Sequence, residues 1–230
     1  MLIKGLAKLT LLDYPEHVAC TVFTGGCNFR CPFCHNASLV ERVSTLPTMD
    51  ESDIFSFLAK RRGVLDGVCV TGGEPLMMPD LGDFLGRIKD MGYAVKLDTN
   101  GSYPDRLADL IDRGLVDMVA MDIKNSPEKY ALTTGLSHFD MAPIYQSVDI
   151  LMQGSLPYEF RTTVVKELHS AEDFEKIGQW IRGAKAYHLQ SFADSGDLLS
   201  QGLHAHTKES LTEFLYIVQK YVSNSHLRGI

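Results

Sequence analysis

Six apolar, β-branched runs, at 17–24, 67–71, 94–98, 118–123, 158–165 and 186–191, alternate with amphipathic stretches at 50–62, 79–91, 104–113, 139–153, 171–181 and 208–222. The first kind has the short, sheet-favouring composition of buried strands; the second repeats its apolar positions at helical spacing. Repeated strand-then-helix order calls for parallel strands joined by right-handed crossovers, because a tight hairpin cannot join parallel neighbours. A complete eightfold barrel takes about 250 residues. Six units in 230 residues point instead to an incomplete, TIM-like (β/α)6 barrel, with a doubly wound open sheet as the competitor. With 45% hydrophobic side chains the chain can bury the core of a single domain spanning 1–230, read as an N-terminal extension (1–16), a partial barrel (17–191) and a closing loop with a C-terminal helix (192–230).

Charge narrows the partners. The formal net charge is −7 and the longest basic run is Lys60-Arg61-Arg62, so a nucleic-acid partner gains no electrostatic support. No apolar stretch approaches membrane-spanning length, and the N-terminus is too polar for a secretory signal, which leads to the expectation of a cytoplasmic protein. In a reducing compartment, five cysteines with three of them clustered indicate a metal or redox site rather than a disulfide framework.

The unusual residues follow the carboxyl ends of the expected strands, the face on which parallel α/β folds build their sites. Cys27, Cys31 and Cys34 follow the first strand, and Gly72-Gly73-Glu74-Pro75 the second. Thr99-Asn100-Gly101 follows the third, and Asp122 and Lys124 close the fourth.

The segment CNFRCPFCHN, at 27–36, admits several chemistries. Cys31-Pro-Phe-Cys34 matches a dithiol redox pair, and Cys31 to His35 matches a C-x-x-C-H haem attachment; neither uses Cys27. Structural zinc takes four ligands, and His35, directly beside Cys34, is poorly placed as the fourth. Cys20 and Cys69 lie within strands, where a cysteine acts as a small buried hydrophobe. Three soft thiolates from one loop suit a 4Fe-4S cubane with one iron left open to a substrate or cofactor.

C-x-x-x-C-x-x-C after the first strand, with an aromatic before the last cysteine and G-G-E-P after the second strand, resembles the radical S-adenosylmethionine (SAM) superfamily along nearly the whole chain. More narrowly, "TLLDYPEHVACTVFTGGCNFRCPFCHN", "TGGEPL", "LDTNG", "MDIKN" and "FRTTVV" are similar to glycyl-radical-enzyme activating proteins, above all the anaerobic ribonucleoside-triphosphate reductase activating type, with pyruvate formate-lyase activase next. His35-Asn36 after the last cysteine is typical of activases.

The resemblance implies a fold, the partial barrel of the radical SAM type, and a set of roles. Cys27, Cys31 and Cys34 hold the 4Fe-4S cluster, whose open iron chelates the amine and carboxylate of SAM. Phe33 and His35 flank the cofactor, with Phe33 set against the adenine. Gly72 and Gly73 let backbone approach it, and Glu74 accepts from its ammonium. Asn100 is placed for the ribose. Lys124 and Arg161 serve the methionine carboxylate or the sulfonium side. Asp98 and Asp122, helped by carbonyls near Thr99 and Ala120, match positions that bind a monovalent cation. The reaction implied is one-electron cleavage of SAM to methionine and a 5′-deoxyadenosyl radical, which takes a hydrogen from a glycine of a partner enzyme. The electron comes from a flavodoxin- or ferredoxin-like donor.

Each feature also has a plainer reading. Gly72-Gly73 can be a tight turn, Asp98 and Asp122 helix caps, and Lys124 and Arg161 surface charges. His188, His204 and His206 read as solvent-facing or locally bonded. Gln190-Ser191-Phe192-Ala193 stands where pyruvate formate-lyase activases carry a late Pro-Tyr-His, which weakens that assignment. A radical SAM enzyme acting on a small molecule and an iron-sulfur carrier or sensor remain as alternatives.

Overall fold

The computed structural model describes residues 1–230, which divide into two compact units. The first comprises residues 1–28, 38–99 and 103–119; the second, residues 29–37, 100–102 and 120–230. The chain passes between them at 28/29, which leaves Cys27 in the first unit and Cys31 and Cys34 in the second, at 37/38, on either side of 100–102, and at 119/120.

The first unit is built on β1 (Ile3–Thr10), β2 (Ala19–Thr24), β3 (Gly67–Gly72) and β4 (Ala94–Thr99). β2, β3 and β4 are parallel, in register through Ala19↔Gly67 and Gly67↔Ala94. β1 runs antiparallel to β2 with two register shifts. In β2 and β3 consecutive residues are buried, as expected when helices cover both faces of a parallel sheet. The short α1 (Ala37–Glu41) is followed by α2 (Glu51–Lys60), α3 (Leu81–Asp90) and α4 (Pro104–Asp112). α3 buries Leu81, Phe84, Leu85 and Ile88, the i, i+3, i+4, i+7 stripe of an amphipathic helix, each large side chain contributing about 1.5–3 kcal/mol. Pro104 opens α4 at its first turn, where no intrahelical N–H is lost.

Strand β5 (Met118–Asp122) carries the chain into the second unit. There α5 (Tyr130–Thr134), α6 (Ala142–Gln153), β6 (Tyr158–Val164), α7 (Ala171–Trp180), β7 (Tyr187–Ser191), α8 (Lys208–Gln219) and β8 (Ser225–Arg228) follow. β6, β7 and β8 are parallel, in register through Phe160↔Tyr187 and Tyr187↔Ser225.

The six expected strands form as β2 to β7, with ends shifted by at most two residues. Two more strands were not foreseen. β1 lies in the stretch read as an extension; Leu9 and Leu11 on and just after it are exposed, so its apolar pattern does not mark a core-facing strand. β8 lies beyond the last helix, where four residues are too few to show a period. α8 ends at Gln219 rather than at 222, and Tyr221 instead packs against Gly178 of α7, where an added Cβ would stand 2.5 Å from its ring.

α7 is anchored by its first turn. Ser170 and Asp173 form a capping box, and the buried Asp173 carboxylate also accepts from Ser126 Oγ at 2.9 Å and Lys129 Nζ at 2.6 Å. Burial pushes this carboxyl up, but the bonds from Lys129, Ser170 and Ser126 outweigh it and hold the group below the usual carboxylate range. A lowered folded pKa means that the contribution is present above about pH 4 and fades as pH falls through the folded value. We expect Asp173→Ala to cost about 2–3 kcal/mol in urea unfolding at pH 7, and the difference from the parent protein to shrink below about pH 4.

Candidate functional site

In the first unit the candidate residues stand where β2, β3 and β4 end. Gly72 has φ +116°, and a Cβ there would sit 2.4 Å from the backbone N and O of Thr24. At Gly73 a Cβ would fall 1.8 Å from the carbonyl oxygen of Gly26. Gly73 N–H donates to Thr24 O at 2.9 Å and Glu74 N–H to Gly26 O at 2.8 Å. The glycine pair is therefore required by the backbone of 24–26, the approach to Cys27. Glu74 is fully buried, and its Oε1 accepts from Leu76 N–H at 3.0 Å and from Thr99 Oγ at 2.8 Å. It ties the turn after β3 to the end of β4. Asp98, at that same end, accepts from the ammonium of Lys96 at 2.5 Å.

In the second unit the cysteine loop is held at both ends. Cys34 N–H donates to Cys31 O at 3.0 Å, and Arg30 N–H to Thr134 O at 2.8 Å. The turn after α5 allows this approach through Gly135, at φ +70°, where a Cβ would meet Arg30 O at 2.2 Å. The segment after β7, whose role the sequence leaves open, straps the loop: Ser200 N–H donates to Pro32 O at 3.0 Å and Ala37 N–H to Asp197 O at 3.4 Å. The Phe192 ring lies 5.7 Å from that of His35. Cys31 and Phe33 are buried. Burial pushes the Cys34 thiol up, opposed by a bond from the Asn36 backbone and the positive charge of Lys124. Burial lowers the His35 pKa, and Lys124 lowers it further, so the ring is neutral at pH 7.

Lys124 is the centre of charge here. Its ammonium donates to Asp122 Oδ2 at 2.8 Å, and Arg161 reaches Asp122 Oδ1 at 3.1 Å. Burial pushes the Asp122 carboxyl up, but the two cations outweigh it and hold the group below its ordinary range. Burial lowers the Lys124 pKa, but Asp122 and Cys31 more than offset it and raise it. Lys124 and Arg161, half-buried and paired, are not surface charges, and Asp98 and Asp122 cap no helix. Lys124 also lies 6.0 Å from the centre of the Phe33 ring. Asn100 is buried with its Oδ1 accepting from Ser102 N–H at 3.0 Å.

Several supporting residues carried no sequence signal. His169 is buried; its Nδ1 accepts from Val165 N–H at 3.1 Å and its Nε2 donates to Lys124 O at 2.9 Å, so it fixes the backbone beneath Lys124 as one neutral tautomer. Tyr130 Oη accepts from Lys124 N–H at 3.3 Å. His188, read as solvent-facing or locally bonded, is buried and lies 3.3 Å from Glu159, whose carboxylate also accepts from both terminal nitrogens of Arg228. His204 bonds Glu167, and His206 bonds the carbonyl of His169.

Cys20 and Cys69 are fully buried in their strands, and burial pushes the Cys20 thiol up to about 12, which removes it from ligation. No disulfide joins the five cysteines. Within the second unit Cys31 and Cys34 present soft donors beside the fixed cation of Lys124, a chemistry suited to iron-sulfur ligation.

The chain matches the Radical SAM superfamily model over residues 21–181 and belongs to that superfamily, whose members carry a 4Fe-4S cluster and SAM. It is a radical SAM enzyme. A Methanocaldococcus jannaschii protein named "Putative glycyl-radical enzyme activating enzyme" is 30% identical, with 100% of this chain and 96% of that protein covered. A pyruvate formate-lyase-activating enzyme of Listeria monocytogenes is 30% identical over 70% of this chain and 68% of its own. Among solved structures, Streptococcus suis SuiB bound to its precursor peptide SuiA superposes with a TM-score of 0.69 at 15% identity, covering 91% of this chain and 48% of that one. The fold is the radical SAM α/β type, the incomplete (β/α)6 barrel class, with β1 and β8 added to the repeating units. No helix is long and apolar enough to cross a membrane.

Two outcomes are expected. Gly73→Ala, whose penalty is a backbone collision, should cost more than about 2 kcal/mol, whereas Gly92→Ala, with φ +88° and open space around it, should cost about 1 kcal/mol, both read from thermal unfolding. Burial lowers the pKa of His169. Its stabilisation is therefore present above the unfolded pKa of about 6.5 and lost as pH falls through the lower folded value. The urea midpoint should drop between pH 7 and pH 5, less steeply in His169→Gln.

Proposed function

We propose that this protein is a glycyl-radical-enzyme activase whose protein substrate is an anaerobic ribonucleoside-triphosphate reductase, with a flavodoxin- or ferredoxin-like protein supplying the electron. The observation that carries the activase reading is the end-to-end likeness to the Methanocaldococcus jannaschii protein, which shares the core and both flanks. The Listeria relative makes pyruvate formate-lyase the competing substrate.

Cys27, Cys31 and Cys34 would ligate the cluster. When bound, the cluster and SAM supply one-electron cleavage of the sulfonium C–S bond and, through it, abstraction of a hydrogen atom from the partner's glycine. The protein's residues prepare the place. Lys124, charged at any physiological pH, favours the thiolate forms of Cys31 and Cys34. Asp122 holds Lys124 and Arg161 as a cationic pair suited to the carboxylate of a bound amino acid. Phe33 offers a buried ring beside His35, and Asn100 a polar group for a ribose. Gly72 and Gly73 would let backbone approach the cofactor, and Glu74, which braces the turn through Leu76 and Thr99, would accept from its ammonium. The strap at 192–206 keeps the cysteine loop from opening to water and oxidants.

The test is anaerobic. Reconstituted protein incubated with SAM, dithionite and either reductase or lyase should form 5′-deoxyadenosine and give a glycyl doublet in electron paramagnetic resonance with the reductase. A doublet only with the lyase would reassign the partner, and deoxyadenosine with no doublet on either would point to a small-molecule substrate. Alanine at Cys27, Cys31 or Cys34 should lower deoxyadenosine formation by more than about 100-fold, while Cys20→Ala keeps cluster and cleavage.

A further inference from the structure

The family resemblance implies a monovalent cation held by Asp98 and Asp122, and the residues present do not fit one. In the first unit Asp98 already has a cation. Lys96 and Asp98, two apart on β4, project to the same face, and the Lys96 ammonium donates to Asp98 Oδ1 at 2.5 Å. Their Cα atoms are roughly 7 Å apart along the strand, a span that a four-carbon stem covers. The Lys96 side chain is 1% exposed and that of Asp98 13% exposed. An ammonium so deeply buried is tolerated only when paired. A metal cation at Asp98 would either crowd a second positive charge beside Lys96 or displace it and strand it without water. In the second unit Asp122 is likewise engaged by Lys124 and Arg161.

We propose that Lys96 takes the place of the monovalent cation, so that this protein binds SAM without sodium or potassium. The inference rests on the reading of Asp98 as part of the SAM site. A lysine built into a strand supplies the charge permanently, whereas an ion supplies it only at sufficient concentration.

The test uses the cluster-loaded protein and titrates SAM calorimetrically in sodium, potassium or tetramethylammonium chloride at matched ionic strength, so that general screening is constant. The expected SAM dissociation constants agree within about threefold across the salts, and thallium(I) nuclear magnetic resonance shows no potassium-competed line broadening by the protein. A larger, saturable tightening by sodium or potassium, or competed broadening, overturns the proposal. Lys96→Met and the more polar Lys96→Gln should acquire a cation requirement of about tenfold or more in SAM affinity; a folded variant that binds SAM as the parent does in every salt also overturns it. If neither variant folds, the titrations of the parent protein decide. Absence of SAM binding in any salt would instead sink the site reading beneath the inference, and the inference with it.

Discussion

Asp122 shares its carboxylate between Lys124 and Arg161, and the chemistry of the second unit is organised around that division. Three partly buried charges would each be costly alone; together they satisfy one another and leave a net positive charge next to the cysteine loop. The charge acts on Cys31, Cys34 and His35, and it lies within reach of the Phe33 ring. Ile123, between Asp122 and Lys124, donates its N–H to Arg161 O at 2.8 Å, so backbone pairing sets the positions of all three charges. His169 and Tyr130 complete the support from beneath.

Within each unit the backbone closes on itself with little tolerance. Gly72 and Gly73 admit Thr24–Gly26, and Gly135 admits Arg30. In each case the glycine makes room for another stretch of this chain, and that stretch leads into or lies within the cysteine loop. The loop at 192–206 adds main-chain bonds at Pro32 and Ala37. The cysteine loop packs Phe29, Cys31 and Phe33 inward, and neighbouring backbone adds the main-chain bonds that hold its course.

The likeness to activases over the whole chain and the weaker likeness of fold to SuiB carry different weight. The former extends to the motifs and their order; the latter, at 15% identity, speaks for the scaffold alone, since one scaffold hosts many substrates. The proposed replacement of an ion by Lys96 shows how members can share a motif such as "LDTNG" and still differ in the electrostatics just before it.

Much was legible in the sequence because it is written locally. Buried parallel strands are short apolar runs and their covering helices repeat near every 3.6 residues, so β2 to β7 and α2, α3, α4, α6 and α7 stand out from their neighbours. The thiol spacing of Cys27, Cys31 and Cys34 and the cationic candidates Lys124 and Arg161 are equally visible, since residue type and spacing can be read directly from the sequence. β1 and β8 were not legible, being half-exposed or too short to show a period. Nor could the sequence say that Lys96 would be buried against Asp98, that Glu74 would turn inward to Thr99, or that His169 would carry the backbone of Lys124. Whether a charge is solvated or buried, and which opposite charge it meets, depends on what packs over it from distant parts of the chain. The order of elements and the inventory of donors belong to the sequence; the pairing of its buried charges was decided by tertiary structure, because desolvation is a property of the packed interior.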